Sequence, residues 1–272
     1  MTAPTEGETV TTSRDGAVAV VELNRPDTLN AFNVQMAKEL RATLAAIAGD
    51  SDVKAVVLTG AGRGFSSGFD LINGGLPTLP SGRPDLRWGL LELFNPVVLL
   101  LREMPQPVVA AINGVAAGIG ASYALACDLI VAARSSSLLL AFVNVGLVPD
   151  GGSTVLVQAR AGISRALEMS LLGERIGAER ALEWGLVNRV EDDDRLMEEA
   201  LALARRLADG PPAAQTAIKD LVNATFLDRL RAQLTVEADL QGVRGDSDEA
   251  ADAMRAFAEK RKSARSSSAP AA

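Results

Sequence analysis

The stretch VVAAINGVAAGIGASYALACD, Val108–Asp128, decides the fold. Val108 to Ile112 is a short run of apolar and small residues, the pattern of a strand covered on both faces. Asn113-Gly114 breaks it with turn chemistry. A helix is predicted from about Gly118 to Ala126, and a second covered strand from Asp128 to Ala133.

Working toward the N-terminus, the same alternation recurs. Val53 to Thr59 is an apolar strand closed by Gly60. Asn33 is an N-cap candidate for a helix whose Met36, Leu40, Leu44 and Ile47 share one face. Ala17 to Leu23 is a mostly buried strand, broken by Asn24-Arg25-Pro26-Asp27. A Gly/Pro-rich loop runs from Asn73 to about Pro84. Helical spacing follows from Asp85 to Glu103, with a kink or break expected at Pro96. Alternating strands and helices of this kind imply an α/β protein. From Asp194 the pattern is helical only, Pro211-Pro212 opens a new segment, and Asp246 with Glu249 resembles a capping box. Residues 1–210 are therefore read as the core and 211–272 as a C-terminal helical region whose Ser/Ala-rich tail, from Ser263, is disordered.

Composition narrows the function. Of 272 residues 48% are hydrophobic, enough to bury a large core without crosslinks. The net charge of −7 argues against a nucleic-acid partner. No apolar stretch reaches the roughly 18 residues of a membrane span. The opening MTAPTEGETV lacks the basic and apolar segments of a secretory signal. A single cysteine, Cys127, fits a reducing compartment, so a cytoplasmic location is expected. The chain has no histidine, which excludes Ser-His-Asp and Cys-His catalysis and histidine-ligated metal sites. Acid–base chemistry near neutral pH falls to carboxylates, Lys, Tyr or the lone Cys.

Three glycine-flanked segments could carry that chemistry. Gly64 to Leu71 and Asn113 to Ala121 are turns of small residues, the second opening a helix. Such turns let a ligand approach backbone N–H groups, and two of them converging would form an oxyanion hole. They could equally be tight turns alone. The second also gives a partial G-x-G match, but it lacks the third glycine of a dinucleotide site. Gly146 to Gly152 places Asp150 among apolar residues, as a general base or as a cap for the next helix.

Taken together, these segments resemble the crotonase (enoyl-CoA hydratase/isomerase) superfamily over roughly residues 15–262. Its opening motif is matched by Leu23-Asn24-Arg25-Pro26 and Leu29-Asn30-Ala31-Phe32-Asn33. The two turns match at Phe65 to Leu71 and Ala110 to Asp128, and later signatures at Ala181 to Asn188 and Phe257 to Arg261. The resemblance implies a spiral of ββα units with a C-terminal helical trimerisation region, and a homotrimer or dimer of trimers. It implies an acyl-CoA substrate, with no cofactor beyond the CoA it carries. The oxyanion donors map to the N–H groups of Phe69 and Ile119. Arg25, Ala31, Phe32, Ser67, Gly68, Asp70 and Gly118 map to substrate binding, and Lys260 to a helix that reaches a neighbouring subunit's ligand. Arg25 and Lys260 could instead be solvated surface cations.

The positions that carry two glutamates in the hydratases hold Ser122 and Phe142. Neither moves a proton at neutral pH, and Phe142 either shields the acyl pocket from water or simply packs the core. The motif around Asp150 resembles the epoxyphenylacetyl-CoA and Δ3,Δ2-enoyl-CoA isomerases, which implies Asp150 as a proton shuttle. Hydratase activity and non-catalytic acyl-CoA binding are the alternatives.

Overall fold

The computed structural model describes residues 8–267. Among these, the strands are β1 (Val10–Asp15), β2 (Val18–Leu23), β3 (Ala55–Gly60), β4 (Gly64–Ser66), β5 (Val108–Ile112), β6 (Val115–Ala117), β7 (Leu129–Ala133), β8 (Ser137–Leu139), β9 (Arg175–Gly177) and β10 (Arg189–Glu191). The helices are α1 (Val34–Ala48), α2 (Leu86–Gly89), α3 (Asn95–Glu103), α4 (Ile119–Ala126), α5 (Ser153–Ala161), α6 (Ile163–Leu172), α7 (Ala178–Glu183), α8 (Leu196–Ala208), α9 (Pro212–Ala224), α10 (Leu227–Gly245) and α11 (Asp248–Ser267).

The strands form two sheets, ordered β1-β2-β3-β5-β7-β10 and β4-β6-β8-β9. Successive pairs β3/β4, β5/β6 and β7/β8 each send one strand to the large sheet and the next to the small one. This staircase is the expected spiral of ββα units. The β1–β2 and β8–β9 pairs are antiparallel and the rest parallel. Parallel strands need cover on both faces, which is why β3, β5 and β7 read as unbroken apolar runs. Val56, Leu58, Ala110, Ile112, Ile130 and Ala132 face the main core with Met36, Leu40 and Leu44 of α1. Ala55, Val57, Val109, Ala111 and Val131 face Leu196, Ala200, Leu203 and Ala204 of α8.

Local signals mostly hold. Asn33 caps α1, its Oδ1 accepting the Met36 N–H at 2.9 Å. Pro96 does interrupt the 85–103 segment: Leu90–Phe94 forms a π-helical turn between α2 and α3. Pro96 lacks the N–H that would bond the Glu92 carbonyl, and Arg41 Nη1 donates to that oxygen instead at 3.4 Å. The last helix starts later than the expected capping box. Ser247, not Asp246, is its cap, with Oγ accepting the Ala250 N–H at 3.2 Å. The tail read as disordered from Ser263 is helical to Ser267 and otherwise lies outside the described residues.

α10 is two-sided. Leu230, Leu234 and Ala238 are buried in the chain's own main core, whereas Val236, Leu240 and Val243 are exposed. No helix among the described residues is long and apolar enough to cross a membrane.

Candidate active site

The two glycine-flanked turns abut. Gly68, after β4, has φ +92°, and Gly118, before α4, has φ +52°. A Cβ on Gly68 would lie 2.9 Å from the Ala117 carbonyl oxygen, and one on Gly118 would touch Gly68 Cα at an ordinary 3.8 Å but sit on a left-handed backbone. Only glycine allows this approach with this backbone. Each glycine precedes one expected donor, Phe69 or Ile119. Ile119 opens α4, so its N–H has no intrahelical acceptor. Among the described residues neither amide is hydrogen-bonded within the protein.

The first turn is braced from behind. Leu29 and Asn30 both adopt φ +54°. Ser67 N–H donates to Leu29 O at 2.8 Å, Phe32 N–H to Gly68 O at 2.7 Å, and Asp70 N–H to Phe32 O at 2.8 Å. The Asn30 amide donates to Ala61 O at 2.9 Å and Gly64 O at 2.7 Å, and accepts the Arg25 N–H at 2.8 Å. The Arg25 guanidinium donates to Ala31 O and, at 3.2 Å, to Asp70 Oδ2. Asn30→Ala removes three hydrogen bonds at a buried, left-handed position. Its cost should be roughly 2–4 kcal/mol, read as a lowered urea midpoint with unchanged slope.

Both turns line a cavity of about 400 Å³. Its walls are largely apolar, with Leu71, Leu76, Leu90, Phe94, Leu147 and Phe257 among them. Leu76 comes from the Gly/Pro-rich loop and Leu90 and Phe94 from the π turn, so Pro96 shapes one wall. Phe142 stands over the second turn, its Cζ 3.7 Å from where a Gly118 Cβ would be. Among the described residues Asp150 is the one carboxylate lining the cavity.

Asp150 is 8% exposed. Its Oδ2 accepts from Gln241 Nε2 at 2.8 Å, and Oδ1 is buried without a hydrogen-bond partner. Burial, and then the nearby Glu237 charge, push its pKa up to about 8 against the opposing Gln241 hydrogen bond. The carboxyl does not cap α5. Glu237 does so from α10, accepting from Gly152 N–H at 2.6 Å, from Thr154 N–H at 3.2 Å and from Thr154 Oγ1. Burial raises Glu237 to about 7, against those same bonds. The other groups open to a histidine-free chain are poorly suited. Burial, and then the Asp150 charge, push the Tyr123 hydroxyl far up. Burial raises the Cys127 thiol to about 12.

Of the residues expected from sequence, Ser67, Gly68, Phe69, Gly118, Ile119, Phe142 and Asp150 line the cavity together. Arg25, Ala31, Phe32 and Asp70 brace the first turn. Ser122 lies under Asp150, its hydroxyl donating to the Asp150 carbonyl at 2.9 Å. The Lys260 side chain lies outside the described residues. Sequence reasoning missed Glu237 and Gln241. Their signal was two polar residues, four apart, on the stripe of α10 that carries Leu230, Leu234 and Ala238. Among the described residues no group of three or more His, Cys, Asp or Glu side chains gathers to hold a metal.

A family profile described as Enoyl-CoA hydratase/isomerase matches residues 13–266. The chain is 41% identical over 245 residues to the 1,2-epoxyphenylacetyl-CoA isomerase of Escherichia coli K12, covering 90% of this chain and 93% of that protein. It is 34% identical over 250 residues to the short-chain-enoyl-CoA hydratase of Clostridium acetobutylicum, covering 92% and 94%. Its fold matches an enoyl-CoA hydratase crystal structure from Mycobacterium avium subsp. paratuberculosis K-10 with a TM-score of 0.84 and 36% identity, over 93% of this chain and 96% of that one.

Proposed function

Because the chain belongs to the enoyl-CoA hydratase/isomerase family, we propose that it isomerises an acyl-CoA thioester with Asp150 as the proton carrier. The observation that carries this reading is Asp150, the one carboxylate lining the cavity among the described residues, buried and with one oxygen unpartnered. A hydratase needs a group to activate water and another to protonate the α-carbon. Here Ser122 and Phe142 stand at the two positions where the family's hydratases place glutamates.

In this mechanism the thioester oxygen sits against the N–H groups of Phe69 and Ile119. Asp150 removes a proton alpha to the thioester, and the electron pair is held as an enolate on that oxygen. Asp150 then returns the same proton further along the acyl chain, so the double bond moves and nothing is gained or lost. Phe142 and Ile119 keep water from the enolate. Arg25 lies near the CoA phosphates while paired with Asp70, and no cofactor beyond the CoA moiety is required. Hydration is the second reading, favoured by the hydratase relative. It would have Asp150 alone activate a water.

The test is turnover of 3-enoyl-, 2-enoyl- and epoxyphenylacetyl-CoA in deuterated water. Isomerised product in which the α-proton has reappeared at the γ-carbon, with little deuterium taken up, is expected, whereas a 3-hydroxyacyl product as the main outcome overturns the reading. The base acts as carboxylate and its pKa is raised to about 8. For 3-enoyl-CoA, kcat/KM should therefore climb with pH through about 8 and level off above it.

Assembly as a trimer or dimer of trimers is proposed as well. Supporting it are exposed apolar side chains on three helices: Ile163, Leu167 and Leu171 on α6, Ile218 and Leu221 on α9, and Leu240 and Val243 on α10. A monomer by sedimentation at micromolar concentration overturns it. A cytoplasmic location is proposed on the single buried, unpaired cysteine.

A further inference from the structure

The turn that carries Asp150 is held by one helix. Glu237 and Gln241 stand one turn apart on α10. Gln241 Oε1 accepts the Val148 N–H at 3.0 Å, and its Nε2 donates to Asp150 Oδ2 at 2.8 Å. Because an N–H already occupies the amide oxygen, the amide can present only its NH₂ to Asp150. Oδ2 is thereby engaged. Oδ1, without a partner, is the oxygen free to take and return a proton. On the other side of Asp150, Glu237 grips Gly152 and Thr154 at the start of α5. The helix start favours an anion there.

Resting on the isomerase reading, we propose that Gln241 and Glu237 are positioning residues: Gln241 confines proton transfer to Oδ1 of Asp150, and Glu237 anchors the turn while presenting a negative charge to it. A shuttle that collects a proton at one carbon and delivers it at another needs one oxygen facing the substrate throughout. A freely rotating carboxyl would expose either oxygen and lose that alignment. Two other groups of the surroundings titrate or carry charge. Tyr123 of α4 has its hydroxyl bonded to Phe94 O at 3.3 Å. Arg175, also lining the cavity, donates to Ser137 Oγ at 3.2 Å. Three hydrogen bonds favour the charged form of Glu237, and its charge opposes the ionisation of Asp150.

The test compares Gln241→Met and Glu237→Gln with wild type and with Asp150→Asn on 3-enoyl-CoA, across pH. Gln241→Met keeps size and removes both hydrogen bonds. Its kcat should fall at least about tenfold, part of the ~10²–10⁴ that a positioned acid–base group supplies, with KM nearly unchanged. Its acid limb should move to higher pH, because ionised Asp150 loses a donor. Glu237→Gln removes a like charge, so its limb should move to lower pH. A structural role alone would lower activity without displacing the limbs in opposite directions. If Glu237→Gln does not fold, the kcat loss and upward limb shift of Gln241→Met decide the matter. An inactive Asp150→Asn beside a Gln241→Met with wild-type kcat and limb overturns the positioning role and leaves the isomerase reading standing. A fully active Asp150→Asn overturns both.

Discussion

Asp150→Asn lowers the isomerisation of 3-enoyl-CoA by at least about 10²-fold, and the same substitution makes the folded protein more stable at alkaline pH. The first effect follows from losing the only cavity-lining carboxylate among the described residues. The second follows from linkage. An exposed aspartate titrates near 3.9, whereas burial, assisted by the Glu237 charge, raises Asp150 to about 8. A group raised in the folded state contributes stability that is whole below its unfolded pKa and is lost as pH climbs through its folded pKa. Asparagine reproduces the neutral acid at every pH. The two proteins should therefore unfold together near pH 4, and the wild type should fall progressively behind up to pH about 8. Each kcal/mol of that gap corresponds to about 2–4 °C in Tm for a chain of this size. Calorimetry at several pH values checks it; parallel curves for the two proteins would remove Asp150 as a raised carboxyl. Acyl-CoA affinity should change little, since the proposed mechanism has the thioester oxygen held by backbone.

Gly68→Val abolishes most turnover while Phe69→Ala retains most of it, although Phe69 is the named donor. The donor is a backbone N–H, so truncating Phe69 leaves it in place. What is lost is the edge contact with Phe94, whose ring lies 5.8 Å away at 70°. A side chain on Gly68 meets the Ala117 carbonyl at 2.9 Å and must adopt φ +92°. The atom it meets is backbone, so the two turns are driven apart and both donors lose aim. Loss of one such donor costs about 10²–10³ in kcat, and Gly68→Val should lose at least that. Steady-state kinetics with calorimetric titration of an acyl-CoA separates the cases. Equal losses from both substitutions would mean that this turn does not hold the thioester oxygen.

Much of this architecture could be read in the sequence, for reasons that can be stated. The middle of the large sheet, β2, β3, β5 and β7, was legible because its covered strands are apolar runs; its edges were not, since β1 is the largely polar VTTSRD and β10 is three residues long. The two turns were legible because each needs a glycine, at 68 for close backbone approach and at 118 for a positive φ. β4, β6, β8 and β9 were not, because three residues carry no periodicity. On residue chemistry alone Asp150 left two roles open, base or helix cap, and it was the resemblance of the motif around it to the isomerases that implied the first. The cap at α5 is Glu237, reaching over from α10, and the Asp150 carboxyl lines the cavity instead. Glu237 and Gln241 were themselves hidden, since α10 was read as a surface for other subunits while one side of it packs against its own core.

The capping of α5 by a residue that follows by 85 positions also orders events during synthesis. At about 5–20 residues per second, the start of α5 is synthesised roughly 4–17 s before Glu237. In that interval the start of α5 has no cap and the Asp150 turn no clamp, while β3, β5 and β7 can already pair. The nascent chain should therefore pass through a stage in which these strands can pair while the Asp150 turn is still unclamped. A chain stalled short of residue 237 should be protease-resistant in its sheet and inert toward thioesters, so catalytic competence is the last property the growing protein acquires.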